Sequence, residues 1–124
     1  AKARVERERS ELSLFAIEAL LKKLLPTIDS FQRAFQHLPD PLKNEEWVKG
    51  VIAIESQLLR ELENVGLKRM QSLAAAVDPH RHEVLRQGPG KKDAVIEVFE
   101  EGYELSGKVL RPAKVSIGDG TLPA

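Results

Sequence analysis

The segment VDPHRHEV, residues 77–84, collects the side chains in this sequence that are best suited to chemistry. Asp78, His80, His82 and Glu83 are all able to bind a metal ion or to exchange protons. In a strand, His80 and His82 would share one face and could ligate one ion. A zinc site needs a third protein ligand at a defined place, and the sequence shows no second cluster of ligands. We therefore favour a turn that Asp-Pro begins and a histidine holds by hydrogen bonds, with no metal and no catalytic residue.

The segment GPGKKD, residues 88–93, has a faint likeness to a phosphate-binding loop. Such a loop needs the full pattern G-x-x-x-x-G-K-[ST] between a strand and a helix. Here Gly88 and Gly90 are two positions apart, no Ser or Thr follows the lysines, and the next residues predict a strand. We expect a mobile hairpin loop. No G-x-S-x-G element for nucleophilic catalysis occurs either, so the sequence predicts a protein that is not an enzyme.

Composition narrows the classes of partner. The chain has 124 residues, 19 of them basic and 19 acidic, and no cysteine. A formal net charge of zero argues against nucleic acid as the main partner, because neutralising phosphates needs a surplus of Lys and Arg. No apolar run is long enough to span a membrane and no signal peptide is visible, so we expect no membrane partner and a cytoplasmic location. The absence of cysteine fits a reducing cytosol.

A heptad pattern dominates the first third of the chain. From Leu14 onward, apolar residues recur at alternating steps of three and four. This seam consists of Leu14, Ile17, Leu21, Leu24, Ile28, Phe31, Phe35 and Leu38. Each side chain contributes about 1.5–3 kcal/mol when it is fully buried, so the seam needs a partner surface. Pro26 lies outside the seam and predicts a kink or a break, and Pro39 and Pro41 end the helix.

A second helix is expected from Asn44, a good N-cap, to Gly66, a left-handed C-cap. Its apolar stripe comprises Val48, Val51, Ile52, Leu58, Leu59, Leu62 and Val65. Two helices joined by a short loop form a hairpin, which cannot enclose a core by itself. Two hairpins from two chains can, so the pattern predicts a homodimer built around a four-helix bundle.

After Gly66 the apolar period changes to two, which is typical of strands. We expect single strands in residues 67–70 and 113–117. Residues 94–105 are expected to form two strands joined by a Glu-Gly turn, and residues 104–112 contain a Ser-Gly turn. The predicted fold class is α+β: a long N-terminal helix and a helical hairpin that form a dimeric four-helix bundle, followed by a small all-β module. The predicted domains are residues 1–66 for dimerisation and 67–124 for the β module.

Three segments carry a resemblance to a known family. LLPTIDSFQRAF (24–35), VDPHRHEV (77–84) and GYELSGKVLRPAKVSI (102–117) occur in that order. Together they resemble the GrpE family, the nucleotide exchange factors of DnaK-type chaperones, over roughly residues 14–118. Val84 departs from the family, which more often has alanine there. Family members also carry a longer paired helix at the N-terminus, so we expect this chain to be a fragment.

The resemblance implies a homodimer whose β module, helped by the helices, grips the ATPase domain of a DnaK-type chaperone. It implies faster ADP release, a role in protein folding and heat stress, and no cofactor. The residues that it assigns to partner binding are Arg33, Gly50, Pro79, His82, Phe99, Tyr103, Lys108, Arg111 and Ile117. Tyr103 and Arg111 are equally suited to an internal role.

Two other classes of function stay open at this point. The first is a dimeric helical-bundle scaffold or adaptor that binds another protein without driving nucleotide exchange. The second, more remote, is an enzyme that uses the histidines of residues 77–84. Only the exchange factor would accelerate the release of ADP from a chaperone ATPase domain, and only the enzyme would turn over a substrate.

Overall fold

The computed structural model describes residues 2–122 and confirms the α+β class, with a long helix first and the strands after it. The chain divides into two compact units after Leu38. The helices are α1 (Lys2–Gln36), α2 (Asp40–Lys43) and α3 (Glu46–Asn64). The strands are β1 (Leu67–Arg69), β2 (His82–Lys92), β3 (Val95–Glu100), β4 (Tyr103–Leu105), β5 (Lys108–Arg111) and β6 (Ala113–Gly118). No helix within residues 2–122 is both long and apolar enough to cross a membrane.

The first unit is helix α1, which continues without a break through Pro26. The alternative of two collinear helices was therefore wrong. A proline in a helix removes a single backbone hydrogen bond, and the turns before and after it keep theirs. The hydroxyl of Ser30 also donates a 3.0 Å hydrogen bond to the carbonyl of Pro26, one turn earlier in the helix. The helix ends at Gln36, before Pro39, as predicted.

The second unit begins with helices α2 and α3. The prolines that follow α1 also start α2, whose N-cap is Pro39. Proline is tolerated at the start of a helix because the N–H groups there have no partner within the helix. Asn44 caps the end of α2, so the N-cap of α3 is Glu45, one residue later than predicted. The other end is confirmed: Gly66 follows the C-cap with a left-handed φ of 105°.

The strands form two three-stranded sheets, with the orders β1–β4–β5 and β2–β6–β3. Strand β6 is central in the second sheet, parallel to β2 and antiparallel to β3. Strands β3 and β4 follow each other around Gly102 but belong to different sheets. The predicted Ser-Gly turn joins β4 to β5, and both of its residues have positive φ. The core of the second sheet is Val95, Ala113, Val115 and Ile117, with Val77 and Val98 packed against it.

The predicted loop at residues 88–93 is wrong, because residues 88–92 belong to strand β2. Gly88 and Lys92 both pair with Gly118 of β6. Residues 89–91 lie in a register shift of β2 between these two pairs. At Gly118 the two backbones cross so closely that a Cβ atom would lie 1.9 Å from the carbonyl oxygen of Lys91. Only glycine fits such a crossing. The chain turns at Asp93, which has a φ of 59°.

Candidate partner-binding site

The histidine turn, residues 78–82, is held by hydrogen bonds as predicted. The N–H of Asp78 donates to Nδ1 of His82 at 3.0 Å, and the N–H of His82 donates to the carbonyl of Asp78 at 2.8 Å. The N–H of His80 donates to the carboxylate of Asp78 at 2.9 Å. Within the described part of the chain, no three His, Cys, Asp or Glu side chains are grouped as metal ligands. The turn orders the entry into β2, and His82 is its buried anchor.

The pKa of His82 is lowered mainly by burial. The charge of Asp78 raises it in part and that of Arg81 lowers it further. The neutral ring is also the form that accepts the hydrogen bond at Nδ1, because protonation would place a second donor against the N–H of Asp78. The folded state therefore favours neutral His82.

The β module is expected to lose stability in acid through His82. The folded-state pKa lies below the unfolded value of about 6.5, so this contribution is complete above pH 6.5. It is lost as the pH falls from there through the folded-state pKa. Urea unfolding from pH 7.5 to 5 should show the decline, and His82→Asn, which keeps an acceptor near the Nδ1 position, should reduce it. The exposed His80 is the control, since His80→Asn should leave the decline intact. An unchanged pH profile in His82→Asn would contradict this account.

Arg111 links the two sheets. Its Nε and one terminal nitrogen donate to the carbonyl of Glu101 at 3.1 and 2.7 Å, and the other terminal nitrogen lies 3.6 Å from the carboxylate of Glu100. The guanidinium also lies 5.5 Å from the centre of the Tyr103 ring. Tyr103 is only 2% exposed. These contacts give both residues an internal role, and their part in partner binding remains a prediction.

Gly102 lies at the same junction. A Cβ atom there would be 2.6 Å from the backbone nitrogen of Ala113 and 2.5 Å from the sulfur of Met70. The N–H of Met70 donates to the Gly102 carbonyl at 2.9 Å. An ion pair between Arg81 and Glu104 adds a connection from the histidine turn to strand β4. The relative position of the two sheets therefore depends on contacts between residues far apart in sequence, which no local sequence pattern predicts.

Phe99 lies on the surface of the second sheet, with 40% of its area exposed. The guanidinium of Arg86, from β2, lies 4.8 Å from the centre of its ring. Arg86 also faces Glu97 at 3.7 Å, and Lys114 lies 3.5 Å from the carboxylate of Glu100. An aromatic ring in a frame of charged groups is typical of a protein-binding surface. No local pattern singles out Arg86, because it comes near Phe99 only through the pairing of β2 and β3 with the central strand β6.

The other predicted partner residues lie in different surroundings. Pro79 and Lys108 are exposed, in the histidine turn and after the Ser-Gly turn. Ile117 is buried in the core of the second sheet, so its side chain does not form part of the surface. Arg33 is exposed on α1. Gly50 is exposed on α3, and a Cβ atom there would meet nothing within 4 Å, so this chain itself makes no close approach at Gly50.

The heptad seam is only partly covered. Leu21 and Ile28 are buried, while Leu14, Ile17, Leu24 and Phe31 stay between 37% and 43% exposed. Phe35 and Leu38 are intermediate, and the rings of Phe31 and Phe35 lie 5.6 Å apart. Leu25, which the seam did not include, is also buried. Helix α3 exposes Trp47, Ile54 and Leu58 as well. Both long helices therefore present apolar side chains to solvent in the isolated chain.

Comparison with known proteins gives one consistent result. The GrpE family model matches residues 1–119. Protein GrpE of Chloroherpeton thalassium is 35% identical over 123 residues, covering 94% of this chain and 60% of the relative. Protein GrpE of Alkaliphilus oremlandii is 31% identical over 118 residues, covering 94% and 63%. The mitochondrial GrpE protein homolog of Schizosaccharomyces pombe is 32% identical over 128 residues, covering 94% and 57%. The chain spans about three-fifths of the length of these curated relatives.

Proposed function

Because the chain belongs to the GrpE family, we propose that it acts as a nucleotide exchange factor of a DnaK-type chaperone. It binds the ATPase domain, opens the nucleotide cleft and accelerates ADP release, so that ATP rebinds. The observation that carries this proposal is the family match over residues 1–119. The processes served are protein folding and the response to heat stress. We propose the cytoplasm as the location, although one of the relatives is mitochondrial.

The proposed mechanism needs no covalent chemistry, so the protein is not an enzyme. A factor that binds the open state of the ATPase domain more tightly than the closed state lowers the affinity of that domain for ADP. By linkage, ADP lowers the affinity of the domain for the factor by the same ratio. The protein therefore needs a surface that fits one state of its partner, and no residue that makes or breaks a bond.

The proposed frame for this surface is a homodimer. Four half-exposed residues of the heptad seam, Leu14, Ile17, Leu24 and Phe31, support it. A second copy of the chain would cover them in a four-helix bundle. In this proposal residues 1–66 dimerise and residues 67–124 contact the chaperone.

Within the β module, exposure favours Phe99 and Lys108 as direct contacts. We propose that Tyr103, Arg111 and Ile117 contribute by holding that surface in shape, since each has internal contacts or is buried. We propose that Pro79 and His82, both in the histidine turn, shape the start of strand β2 beside that surface. Arg33 and Gly50 are proposed contacts from the helices.

The decisive experiment is stopped-flow release of fluorescent ADP from a DnaK-type ATPase domain. Adding the chain should accelerate release, in proportion to the fraction of ATPase domain that is bound. Binding without acceleration would instead support the scaffold or adaptor, and turnover of a substrate would support an enzyme. Absence of both binding and acceleration would overturn the proposed function.

Lys108→Glu is expected to slow association with the ATPase domain while leaving melting nearly unchanged. Lys108 is exposed next to the Ser-Gly turn, where its charge can steer an acidic partner. Charges at the rim of an interface act chiefly on the association rate and its salt dependence. Association rates at low and high salt should therefore converge in the variant. Lys91→Glu, an equal change of charge on β2, is the matched control, and an equal effect of both would indicate general electrostatics instead of a contact at Lys108.

A further inference from the structure

A groove of about 600 Å³ runs along strand β1, between this strand and the last turns of helix α3. Helix α3 contributes one wall and the first sheet the other. The residues that line this groove include Leu59, Glu63, Leu67, Lys68, Arg69 and Tyr103. Of these, only Tyr103 belongs to the residues proposed to serve the chaperone contact.

Strand β1 forms an open edge of the β1–β4–β5 sheet. The N–H of Met70 donates to the carbonyl of Gly102, and the N–H of Ser106 donates to the carbonyl of Gly66. Main-chain groups alternate in direction along an antiparallel ladder, so those of Leu67 and Arg69 point away from β4. The edge therefore offers two N–H donors and two carbonyl acceptors to another extended chain.

The walls of the groove combine apolar contact with positive charge. Leu59, which is half-buried, and the aliphatic stems of Lys68 and Arg69 supply the accessible apolar surface, because Leu67 and Tyr103 are only 4% and 2% exposed. Lys68 and Arg69 are both exposed, and within residues 2–122 neither takes part in an ion pair. Glu63 is the one acidic residue of this lining, so the two cations leave the groove with a net positive charge.

We propose that this groove binds an extended peptide segment of a partner protein, in which an apolar residue is flanked by acidic residues. The segment adds to the edge of β1 as a further strand, which is a common mode of peptide recognition. As neighbours in a strand, Lys68 and Arg69 point to opposite faces of the sheet, so the carboxylates of the segment pair with Lys68 and its apolar side chain packs beside the aliphatic stem of Arg69. A second copy of β1 fits poorly, because pairing two copies would bring Lys68 and Arg69 against the same cations. This site is separate from the proposed chaperone contact at Phe99 and Lys108.

The test uses the peptide acetyl-Glu-Val-Glu-Val-Glu-amide and the whole chain, isotopically labelled for NMR. Titration should shift the amide signals of Leu67 and Arg69 first, with smaller shifts at Leu59. The double change Lys68→Glu and Arg69→Glu should weaken binding about tenfold and create binding of the matching lysine peptide. Lys91→Glu with Lys92→Glu, on exposed positions of β2, is the matched control and should leave binding unchanged.

A version of the peptide that is N-methylated at all five residues cannot donate hydrogen bonds from their main-chain N–H groups and should not bind. Three results would overturn the proposal: no shift at millimolar peptide, shifts spread evenly over basic residues, or binding that ignores the reversal of charge at Lys68 and Arg69. Shifts at β1 that depend on protein concentration without peptide would show that a second copy occupies the edge, which also contradicts it. Because no chaperone is present, the outcome is independent of the exchange assay.

Discussion

Replacing both Ile28 and Phe31 with aspartate is expected to abolish the proposed dimer. Both residues lie in the heptad seam, where Ile28 is buried and Phe31 is partly exposed in the isolated chain. An unpaired carboxylate in an apolar interface costs several kcal/mol, so two of them in the seam should prevent two chains from associating. Sedimentation equilibrium should show a monomer or an unfolded chain, and circular dichroism distinguishes the two.

Phe31→Asp alone separates assembly from folding. Its side chain is already 42% exposed without a second chain, so the folded chain should accept the change while the dimer weakens. Lys23→Asp with Ala34→Asp, on exposed positions outside the seam, is the matched control and should remain dimeric. A well-folded dimer after the change of both Ile28 and Phe31 would rule out the bundle.

The sequence predicted the elements whose signals are local. The period of the apolar residues identified α1 and α3, and the left-handed glycine Gly66 ended α3 where expected. The Ser-Gly turn and the strands around it were also predictable, because each depends on a few neighbouring residues. Even the histidine turn is a local structure, since all its hydrogen bonds join residues 78–82.

Features that depend on distant residues were not predictable. The glycines and proline of residues 88–90 are typical of a loop, yet pairing with Gly118 makes them part of strand β2. The pairing of β2 and β3 with the central strand β6 likewise brings Arg86 to Phe99. No local pattern encodes which strand lies beside which.

The alternation of apolar and polar residues predicts a strand but does not identify which face of the strand is buried. In β6 the alternating residues Ala113, Val115 and Ile117 are all buried, although Ile117 was expected at the partner surface, and Ser116 is buried too. Ile117 and Phe99 were equally good candidates for a surface role by sequence. Only the sheet order, with β6 in the centre, separates the buried Ile117 from the exposed Phe99.

Phe99→Ala is expected to weaken binding of the ATPase domain by about 2 kcal/mol or more, roughly thirtyfold, through faster dissociation and with little salt dependence. The ring is 40% exposed and stacks with Arg86, so it is accessible yet held in one orientation. An aromatic side chain fixed in this way loses little entropy when a partner covers it. Acceleration of ADP release should fall in parallel at subsaturating concentrations.

Stability measurements decide between an anchor and a core residue at this position. Truncating a buried phenylalanine costs about 3–5 kcal/mol of folding free energy, and the exposed ring of Phe99 should cost distinctly less. Leu85→Ala removes a side chain that is 51% exposed on strand β2 and serves as the control for general loss of apolar surface. If Phe99→Ala lowers melting strongly but the folded variant binds and exchanges like the parent, Phe99 stabilises the sheet and the chaperone contact lies on another face of the β module.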